Sequence, residues 1–177
     1  MQDRNQIGQF EALISPHLDA AYNLARWLVR NDQDAEDMVQ EACLRALKFF
    51  SGFRGADSRA WLLTIVRNTC YTWLRRHRAH ELAVPLDTDS YSADCDAFNP
   101  EIIAQRSADS RLLRQALEDL PVEFREVIVL RELEGLSYKV IANIADIPIG
   151  TVMSRLARAR RRLQQSLADQ QDEGGTA

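Results

Sequence analysis

Five arginines lie within eight residues near the carboxyl end of the chain, at Arg155, Arg158, Arg160, Arg161 and Arg162. Guanidinium groups form paired hydrogen bonds with phosphates and with the major-groove edge of guanine. A solvated helix face normally carries charges of both signs, but no acidic residue occurs from 147 to 168. The spacing therefore predicts a DNA-binding surface rather than a merely solvated one.

A helix-turn-helix is the element that would present these arginines. A short apolar pattern begins after a Ser137 cap and ends at Ala145, and the turn Asp146-Ile147-Pro148 leads to a last helix predicted to start at Thr151. The apolar face that holds this helix to its domain consists of Val152, Leu156, Ala159 and Leu163. On the opposite side, four residues are predicted to read bases: Thr151, Ser154, Arg155 and Arg158. Phosphate contacts are predicted for Arg160, Arg161 and Arg162.

A second basic segment, RNTCYTWLRRHR at 67–78, interleaves arginines with aromatic rings. That pattern suits single-stranded nucleic acid, because guanidinium groups bind phosphates and ring faces stack on bases. Trp61 and Trp73 also fit the spacing of a buried helix face, and for these two the core interpretation is favoured. The segment belongs to a helix predicted from Arg59 to about His80, which follows a glycine-containing loop at 51–58.

Carboxylates cluster on the preceding helix, in a polar strip that contains Asp37, Gln40 and Glu41. No nucleophile or metal ligand accompanies them, so the residues alone favour a solvated surface over a catalytic one. Leu44 and Leu47 lie away from the main apolar stripe of this helix. A helix that is apolar on two faces is typically sandwiched or binds a partner.

Neither a metal nor a cofactor is expected. His77 and His80 stand three residues apart, but no cysteine or carboxylate cluster completes a metal site around them. Cys43, Cys70 and Cys95 are odd in number and include no C-x-x-C pair, which is typical of reduced thiols. No apolar run is long enough to cross a membrane and no signal-peptide core begins the chain, so we expect a soluble cytoplasmic protein.

The chain is predicted to be all-α, with two small helical domains joined by a flexible acidic linker. In the first domain, residues ~7–30 form one helical pattern with a restart at Ser15-Pro16, and the second pattern, ~34–50, follows capping residues in 31–34. The predicted boundaries are 1–83 for the first domain, 84–108 for the linker, 109–168 for the second domain and 169–177 for a flexible tail. Residues 84–108 hold five acidic side chains and one basic one, so the net charge of −4 does not exclude DNA binding elsewhere.

Four helices are predicted in the second domain. The first carries an apolar stripe of Leu112, Leu113, Ala116, Leu117 and Leu120, and it ends at Pro121. The apolar residues of the second are Val122, Val127, Val129, Leu130 and Leu133. Gly135 is predicted to end this second helix as a C-terminal cap, and the helix-turn-helix follows.

The chain resembles the bacterial sigma factors of the extracytoplasmic-function (ECF) group, part of the sigma-70 family, in three segments that occur in the same order. These segments are DAEDMVQEACLRALKFF (34–50), FRGADSRAWLLTIVRNTCYTWLRRHR (53–78) and LPVEFREVIVLRELEGLSYKVIANIADIPIGTVMSRLARARRRL (120–163). The resemblance implies sigma region 2 at ~7–80 and region 4 at ~109–168. It also implies the function, which is to bring core RNA polymerase to promoters as a transcription initiation factor.

The resemblance implies binding surfaces rather than catalysis. In the family, the acidic helix contacts the clamp helices of the largest polymerase subunit, so a binding role replaces the solvated interpretation of Asp37, Gln40 and Glu41. Region 4 reads the upstream, −35-type promoter element with the last helix. Region 2 melts and captures the downstream, −10-type element, and the matching residues are Phe53, Arg54, Trp61, Arg67, Asn68, Tyr71, Arg75 and Arg76.

Two positions depart from the family pattern: Thr72 stands where many members carry an acidic residue, and Lys139 where glutamate is common. An anti-sigma factor, membrane-bound for many members, is implied as a further partner that would hold the chain at the inner membrane face. No small-molecule substrate is expected. The alternatives are a free-standing helix-turn-helix regulator and an enzyme that uses the carboxylates of 32–41.

Overall fold

Helices form every regular element in the part of the chain that the structure describes. This computed structural model describes the backbone of residues 2–81 and 100–174, and the side chains of residues 5–78 and 109–169. The helices are α1 (Gln2–Ile14), α2 (Leu18–Val29), α3 (Asp32–Phe49), α4 (Ser58–Glu81), α5 (Pro100–Glu118), α6 (Val122–Ile128), α7 (Tyr138–Ala145) and α8 (Ile149–Gly174). Two 3₁₀ turns, Ser15–His17 and Phe50–Gly52, and a π-helix, Val129–Leu133, complete the set. The all-α prediction is confirmed.

The first predicted helix is interrupted at Ser15-Pro16, where a restart was predicted, but the predicted serine cap is wrong. The Ser15 hydroxyl donates to the carbonyl oxygen of Glu11 at 2.6 Å, so Ser15 bonds backwards and does not cap the helix that follows. Pro16 lacks an N–H group and lies in the 3₁₀ turn between α1 and α2. The chain therefore bends at this point.

Helix α3 starts at Asp32, two residues before the predicted ~34, but its cap lies in the predicted segment 31–34. The Asn31 side chain accepts a hydrogen bond from the backbone N–H of Asp34 at 3.0 Å, and Arg30 has a left-handed backbone with a φ of 66°. An asparagine in this position satisfies one of the free N–H groups of the first helical turn. Asn31 thereby fixes the start of the helix that carries the acidic strip.

The helix-turn-helix is formed by α7 and α8, whose axes are bent by 100° at their junction. Gly135 has a φ of +65°, which agrees with its predicted role at the end of the preceding helix. Helix α8 begins at Ile149 rather than at Thr151, because the Thr151 N–H already donates to the Pro148 carbonyl at 2.9 Å. Among the described residues, no single helix is long and apolar enough to cross a membrane; α7 and Ile149–Asp169 pass that test only as a bent pair.

Replacing Ser137 with alanine should destabilise the fold by about 1 kcal/mol. The Ser137 hydroxyl accepts a hydrogen bond from the Val140 N–H at 3.3 Å and so caps α7 as predicted. Urea unfolding of the purified chain would measure the loss. Ser154→Ala is the matched control, because that hydroxyl only bonds the Thr151 carbonyl within α8. Equal unfolding midpoints for the two variants would show that the cap contributes nothing.

The helices extend beyond the domain boundaries predicted from the sequence. Helix α5 begins at Pro100 and so occupies the last part of the predicted linker, and α8 continues to Gly174, into the predicted tail. Residues 82–99 lie outside the described residues, and the predicted linker over 84–99 and Cys95 therefore lie there too. The described part of 84–108 is helical rather than irregular.

One continuous apolar core includes residues of both halves. Its largest fully buried side chains are Leu24, Leu28, Leu62, Leu63 and Val66 in the first half, and Leu130, Ile141, Ile144 and Leu156 in the second. Helices α2, α3 and α4 pack together, as do α6, α7 and α8, and in addition α2 contacts α6 and α4 contacts α7. The two halves therefore touch, which no sequence pattern predicted.

Two apolar stripes of the second half are narrower than predicted. In α5, Ala116 and Leu117 are buried, as is Leu120 just after the helix, but Leu112 and Leu113 are exposed. In the π-helix, Leu130 is fully buried whereas Leu133 is 53% exposed. The Glu134 N–H donates to the carbonyl of Val129, five residues back, so the helical phase changes and Leu133 points away from the core.

Candidate nucleic-acid interface

Helix α8 presents its predicted reading face to solvent. Val152, Leu156 and Ala159 are buried and fix the helix to α6 and α7. On the other side Ser154 and Arg158 are exposed, and Thr151 and Arg155 are half-buried. The structure therefore brings Thr151, Ser154, Arg155 and Arg158 together on one accessible surface at the amino end of α8.

The three arginines predicted to bind phosphates differ in their surroundings. Arg160 forms an ion pair with Glu132, with 2.5 Å between Nη2 and Oε1, and this hydrogen bond raises the pKa of Arg160. The guanidinium of Arg162 lies 4.9 Å above the ring of Phe124. Arg161 is exposed and makes no contact of this kind with the described side chains. Arg161 is thus the arginine of the three most ready to meet a phosphate.

An open cleft lies between the end of α3 and the start of α4. Its volume is about 740 Å³, and its lining consists of Phe49, Gly52, Phe53, Arg54, Gly55, Ala56, Asp57 and Trp61. The rings of Phe53 and Trp61 are 4.5 Å apart between centroids, and the exposed Phe49 forms another wall. The aromatic lining and a single arginine suit a planar base with its phosphate. Phe49 was not among the predicted site residues, although it ends a helix beside a glycine-containing loop.

Both tryptophans contact the core, but their other surroundings differ. Trp61 and Trp73 are partly buried and pack against the core, as the core interpretation predicted. Trp61 also lines the cleft, whereas Trp73 stacks on His77 with 3.7 Å between ring centroids. The Asp57 carboxylate accepts from the Ala60 N–H at 2.9 Å and so orients the first turn that carries Trp61.

The remaining predicted −10-type residues fall into two groups on α4. Asn68, Arg75 and Arg76 are exposed. Arg67 and Tyr71 are half-buried, because both donate to the carboxylate of Glu126 in α6: Arg67 Nε at 2.6 Å and the Tyr71 hydroxyl at 2.9 Å. The structure therefore leaves one group open to a ligand and engages the other with the second half of the chain.

The pKa values of Arg67 and Tyr71 are raised. For Arg67, burial opposes the charged form, but the hydrogen bond and the negative charge of Glu126 outweigh it and raise the pKa. For Tyr71, burial comes first and the Glu126 carboxylate adds to it, so the pKa of the phenol rises well above its ordinary value. Arg67 is thus a cation and Tyr71 a neutral donor at every physiological pH.

The acidic strip of α3 is accessible and has an apolar centre. Asp37 and Gln40 are exposed, and Glu41 forms an intrahelical ion pair with Arg45 at 2.7 Å. Leu44 is 65% exposed and lies one turn beyond Gln40 and Glu41. Viewed along the helix axis, it falls between these two residues and opposite the buried alanines of α3. The sequence placed Leu44 off the core stripe, but only its exposure identifies it as part of this surface.

The side chain of His80 and all of Cys95 lie outside the described residues, so only His77, Cys43 and Cys70 can be placed. The ring of His77 lies within hydrogen-bond distance of the Trp73 carbonyl, at 3.2 Å, and no three potential ligands come together among the described residues. Cys70 is buried, which raises the pKa of its thiol to about 12, and burial also raises the pKa of Cys43. These two thiols are therefore protonated at neutral pH and weak nucleophiles.

Two family models match the chain, one over each half. Sigma-70 region 2 matches residues 13–80, which include the α3 strip, the cleft and α4. Sigma-70, region 4 matches residues 110–163, which include the helix-turn-helix.

Curated relatives are similar along nearly the whole chain. The ECF RNA polymerase sigma factor SigE of Mycolicibacterium smegmatis is 35% identical over 172 residues, which are 97% of this chain and 66% of the relative. The ECF RNA polymerase sigma-E factor of Haemophilus influenzae is 34% identical over 89% of this chain and 87% of its own length.

Solved structures show the same similarity. The sigma factor RpoE in complex with the anti-sigma factor NepR from Bartonella quintana aligns with a TM-score of 0.77 and 30% identity, over 90% of this chain and 97% of that one. CnrH in complex with the cytosolic domain of CnrY aligns with a TM-score of 0.63 and 26% identity, over 90% and 88% of the two chains.

Proposed function

This chain belongs to the ECF group of the sigma-70 family and is a promoter-directing transcription initiation factor, and we propose how its surfaces divide that work. Residues 1–83 act as region 2 and 109–168 as region 4, on either side of the predicted linker. Region 4 binds duplex DNA, region 2 binds separated DNA, and α3 binds core RNA polymerase. The chain itself makes and breaks no covalent bond, because the polymerase supplies the catalysis.

The −35-type element is read by the exposed face of α8. Thr151, Ser154, Arg155 and Arg158 face base edges in the major groove, and Arg160, Arg161 and Arg162 bind the flanking phosphates. The observation that carries this proposal is that residues 149–168 of α8 have a buried apolar face and an accessible face without acidic residues. The 100° bend between α7 and α8 is the angle that such a motif uses to place its second helix in the groove.

The −10-type element is captured by the cleft and by α4. Phe53, Arg54 and Trp61 take an extruded base, and Asn68, Arg75 and Arg76 continue the surface along the strand. Stacking of a base on an aromatic ring contributes about 1–3 kcal/mol, which offsets an unstacking cost of a few kcal/mol. Arg67 and Tyr71 join this surface once Glu126 no longer holds them.

Core RNA polymerase is bound through α3, where Asp37, Gln40 and Glu41 contact the clamp helices of the largest subunit. Leu44 adds an apolar centre to this polar surface, which is the usual composition of a protein interface. Because polymerase supplies further contacts to promoter DNA, the low net charge of the chain does not prevent promoter binding.

An anti-sigma factor is the proposed regulatory partner. RpoE is described in complex with the anti-sigma factor NepR, and CnrH in complex with the cytosolic domain of CnrY; both align with about nine tenths of this chain. An anti-sigma factor attached to the membrane would hold this chain at the inner membrane face, whereas the released chain would act in the cytoplasm. Pull-down from the native host would identify it.

Transcription from a promoter library tests the proposed function. Core polymerase alone and core polymerase with the purified chain would be given the same library, and the RNA start sites mapped. We expect new, specific starts only when the chain is present. Absence of any specific start would contradict the proposal, and specific duplex binding at paired half-sites without polymerase would instead support a free-standing regulator.

A further inference from the structure

The ion pairs that join the two halves of the chain all have the arginine in the first half and the glutamate in the second. Among the described side chains, three ion pairs cross between the first unit (α1–α4) and the second unit (α5–α8). They are Arg26–Glu118 at 3.7 Å, Arg59–Glu134 at 2.6 Å and Arg67–Glu126 at 2.6 Å. In each pair the arginine belongs to the unit that should bind separated DNA, and the glutamate to the other. We call Glu118, Glu126 and Glu134 the glutamate row.

Glu126 is the central member of this row and is completely buried. Both of its carboxylate oxygens accept from the first unit, Oε1 from Arg67 and Oε2 from Tyr71. A buried ion pair is weak evidence for stability, because the cost of removing both charges from water offsets their attraction. What the contact does achieve is to occupy both donors.

The donors that Glu126 occupies are two of those proposed to bind the −10-type element. The Arg67 side chain is only 17% exposed, and its guanidinium lies 4.0 Å over the ring of Tyr71. A carboxylate on a guanidinium has the charge and the acceptor geometry of a DNA phosphate. In this closed arrangement a single strand could reach Asn68 but not the Arg67 guanidinium, whereas the reading face of α8 stays accessible.

Glu134 provides a second contact that is less deeply placed. Arg59 Nη2 donates both to the Glu134 carboxylate and, at 2.9 Å, to its carbonyl oxygen, and Asn23 donates to the carboxylate at 3.3 Å. This glutamate directly follows the π-helix, whose change of phase turns it towards the first unit. Arg59 is not among the residues proposed to bind DNA, so the Arg59–Glu134 pair can be changed without changing that surface.

We propose that the glutamate row is an intramolecular mimic of the DNA backbone, which keeps the free chain closed and inhibits its binding to the −10-type single strand. The inference rests on the proposed role of α4 in binding separated DNA. When polymerase or a promoter draws the two units apart, Arg67 loses its contact with Glu126 and binds a DNA phosphate in its place. Apparent affinity for a single strand then equals the intrinsic affinity multiplied by the open fraction.

Charge reversal at Glu134 in the full chain tests the proposal. In Glu134→Arg, two positive side chains face each other across the units, so we expect opening, detected as a larger radius of gyration by X-ray scattering. Affinity for a short mixed-sequence DNA single strand should rise about tenfold if the open fraction rises from about a tenth to nearly one. The double variant Arg59→Glu with Glu134→Arg restores opposite charges and should close again.

Two further variants test whether the gain in single-strand affinity comes from opening of the units rather than from added positive charge. Glu132→Arg adds the same charge two residues away, at an exposed site outside the interface, and should leave both the radius and the affinity unchanged. Glu126→Gln removes the central charge but keeps nearly the same side-chain shape. Like Glu134→Arg, it should increase the radius of gyration and the single-strand affinity. Circular dichroism of each variant would verify that the helices are retained.

The proposal is overturned if Glu134→Arg and Glu126→Gln leave the scattering profile as it is in the unaltered chain. It is also overturned if the chain opens without any gain in single-strand affinity, or if Glu132→Arg gives the same gain. None of these results depends on promoter specificity. A failure of the proposed function would appear separately, as the absence of specific transcription starts with the unaltered chain.

Discussion

Replacing Arg158 with alanine should weaken binding to the upstream promoter duplex by about 1–3 kcal/mol, or roughly five- to 150-fold. Arg158 is exposed on the same side of α8 as Ser154, one turn further along. A long guanidinium in that position reaches the O6 and N7 atoms of guanine with two hydrogen bonds, which alanine cannot replace. The fold should be unaffected, because Val152, Leu156 and Ala159 hold the helix from its other face and alanine favours helix.

Base reading is identified by how the loss of affinity varies among DNA duplexes with single base-pair substitutions, rather than by the size of the loss. Arg158→Ala should lose discrimination at one base pair when the holoenzyme is tested on duplexes with single substitutions. Arg161→Ala is the control, since an exposed arginine at a phosphate should weaken all duplexes equally and lower the salt dependence by about one counterion. An equal loss on every duplex for Arg158→Ala would assign that residue to the phosphate backbone instead.

The reading face of α8 could be predicted because helical periodicity alone determines it. Once the apolar residues Val152, Leu156 and Ala159 are buried, the side of the helix opposite them must face solvent. The caps at Asn31, Ser137 and Gly135 are equally local, since each depends on a residue type and its neighbours within a few positions.

The contacts between the two units could not be predicted in the same way. Glu118 lies in α5, Glu126 in α6 and Glu134 directly after the π-helix, and their partners are separated from them by 55 residues or more. Periodicity shows which face of a helix is buried, but not which element covers it. The sequence therefore placed Arg67 and Tyr71 among the DNA contacts without showing that Glu126 already occupies them.

Irregular helix geometry accounts for the other differences. The apolar stripe of the second unit was extended to Leu133 on the assumption of a constant 3.6-residue period. The π-helix inserts one extra residue per turn, so Leu133 leaves the core and Glu134 enters the boundary between the units. At Ser15, a hydroxyl that bonds backwards and a proline that follows it end the first helix early.

The double variant Asp37→Ala with Glu41→Ala should bind core RNA polymerase about 2 kcal/mol more weakly, or roughly thirtyfold, and remain folded. Both residues lie on the accessible side of α3, away from its buried alanines. Glu41 loses only its ion pair with Arg45, and an exposed pair of this kind stabilises a helix by about 0.3–0.5 kcal/mol. Titration of labelled chain with core polymerase would measure the affinity, and thermal unfolding would verify the fold.

Two single variants define what the surface recognises. Glu36→Ala removes an exposed acid from the same helix, at the edge of the strip, and should leave assembly of the holoenzyme unchanged. Leu44→Ser should weaken assembly, because a leucine exposed between polar neighbours becomes buried only when a partner covers it. Normal assembly by the double variant would refute the role of Asp37 and Glu41, and weak assembly by Leu44→Ser alone would make the apolar centre the recognised feature. Because α3 makes none of the ion pairs between the two units, these substitutions leave those pairs in place.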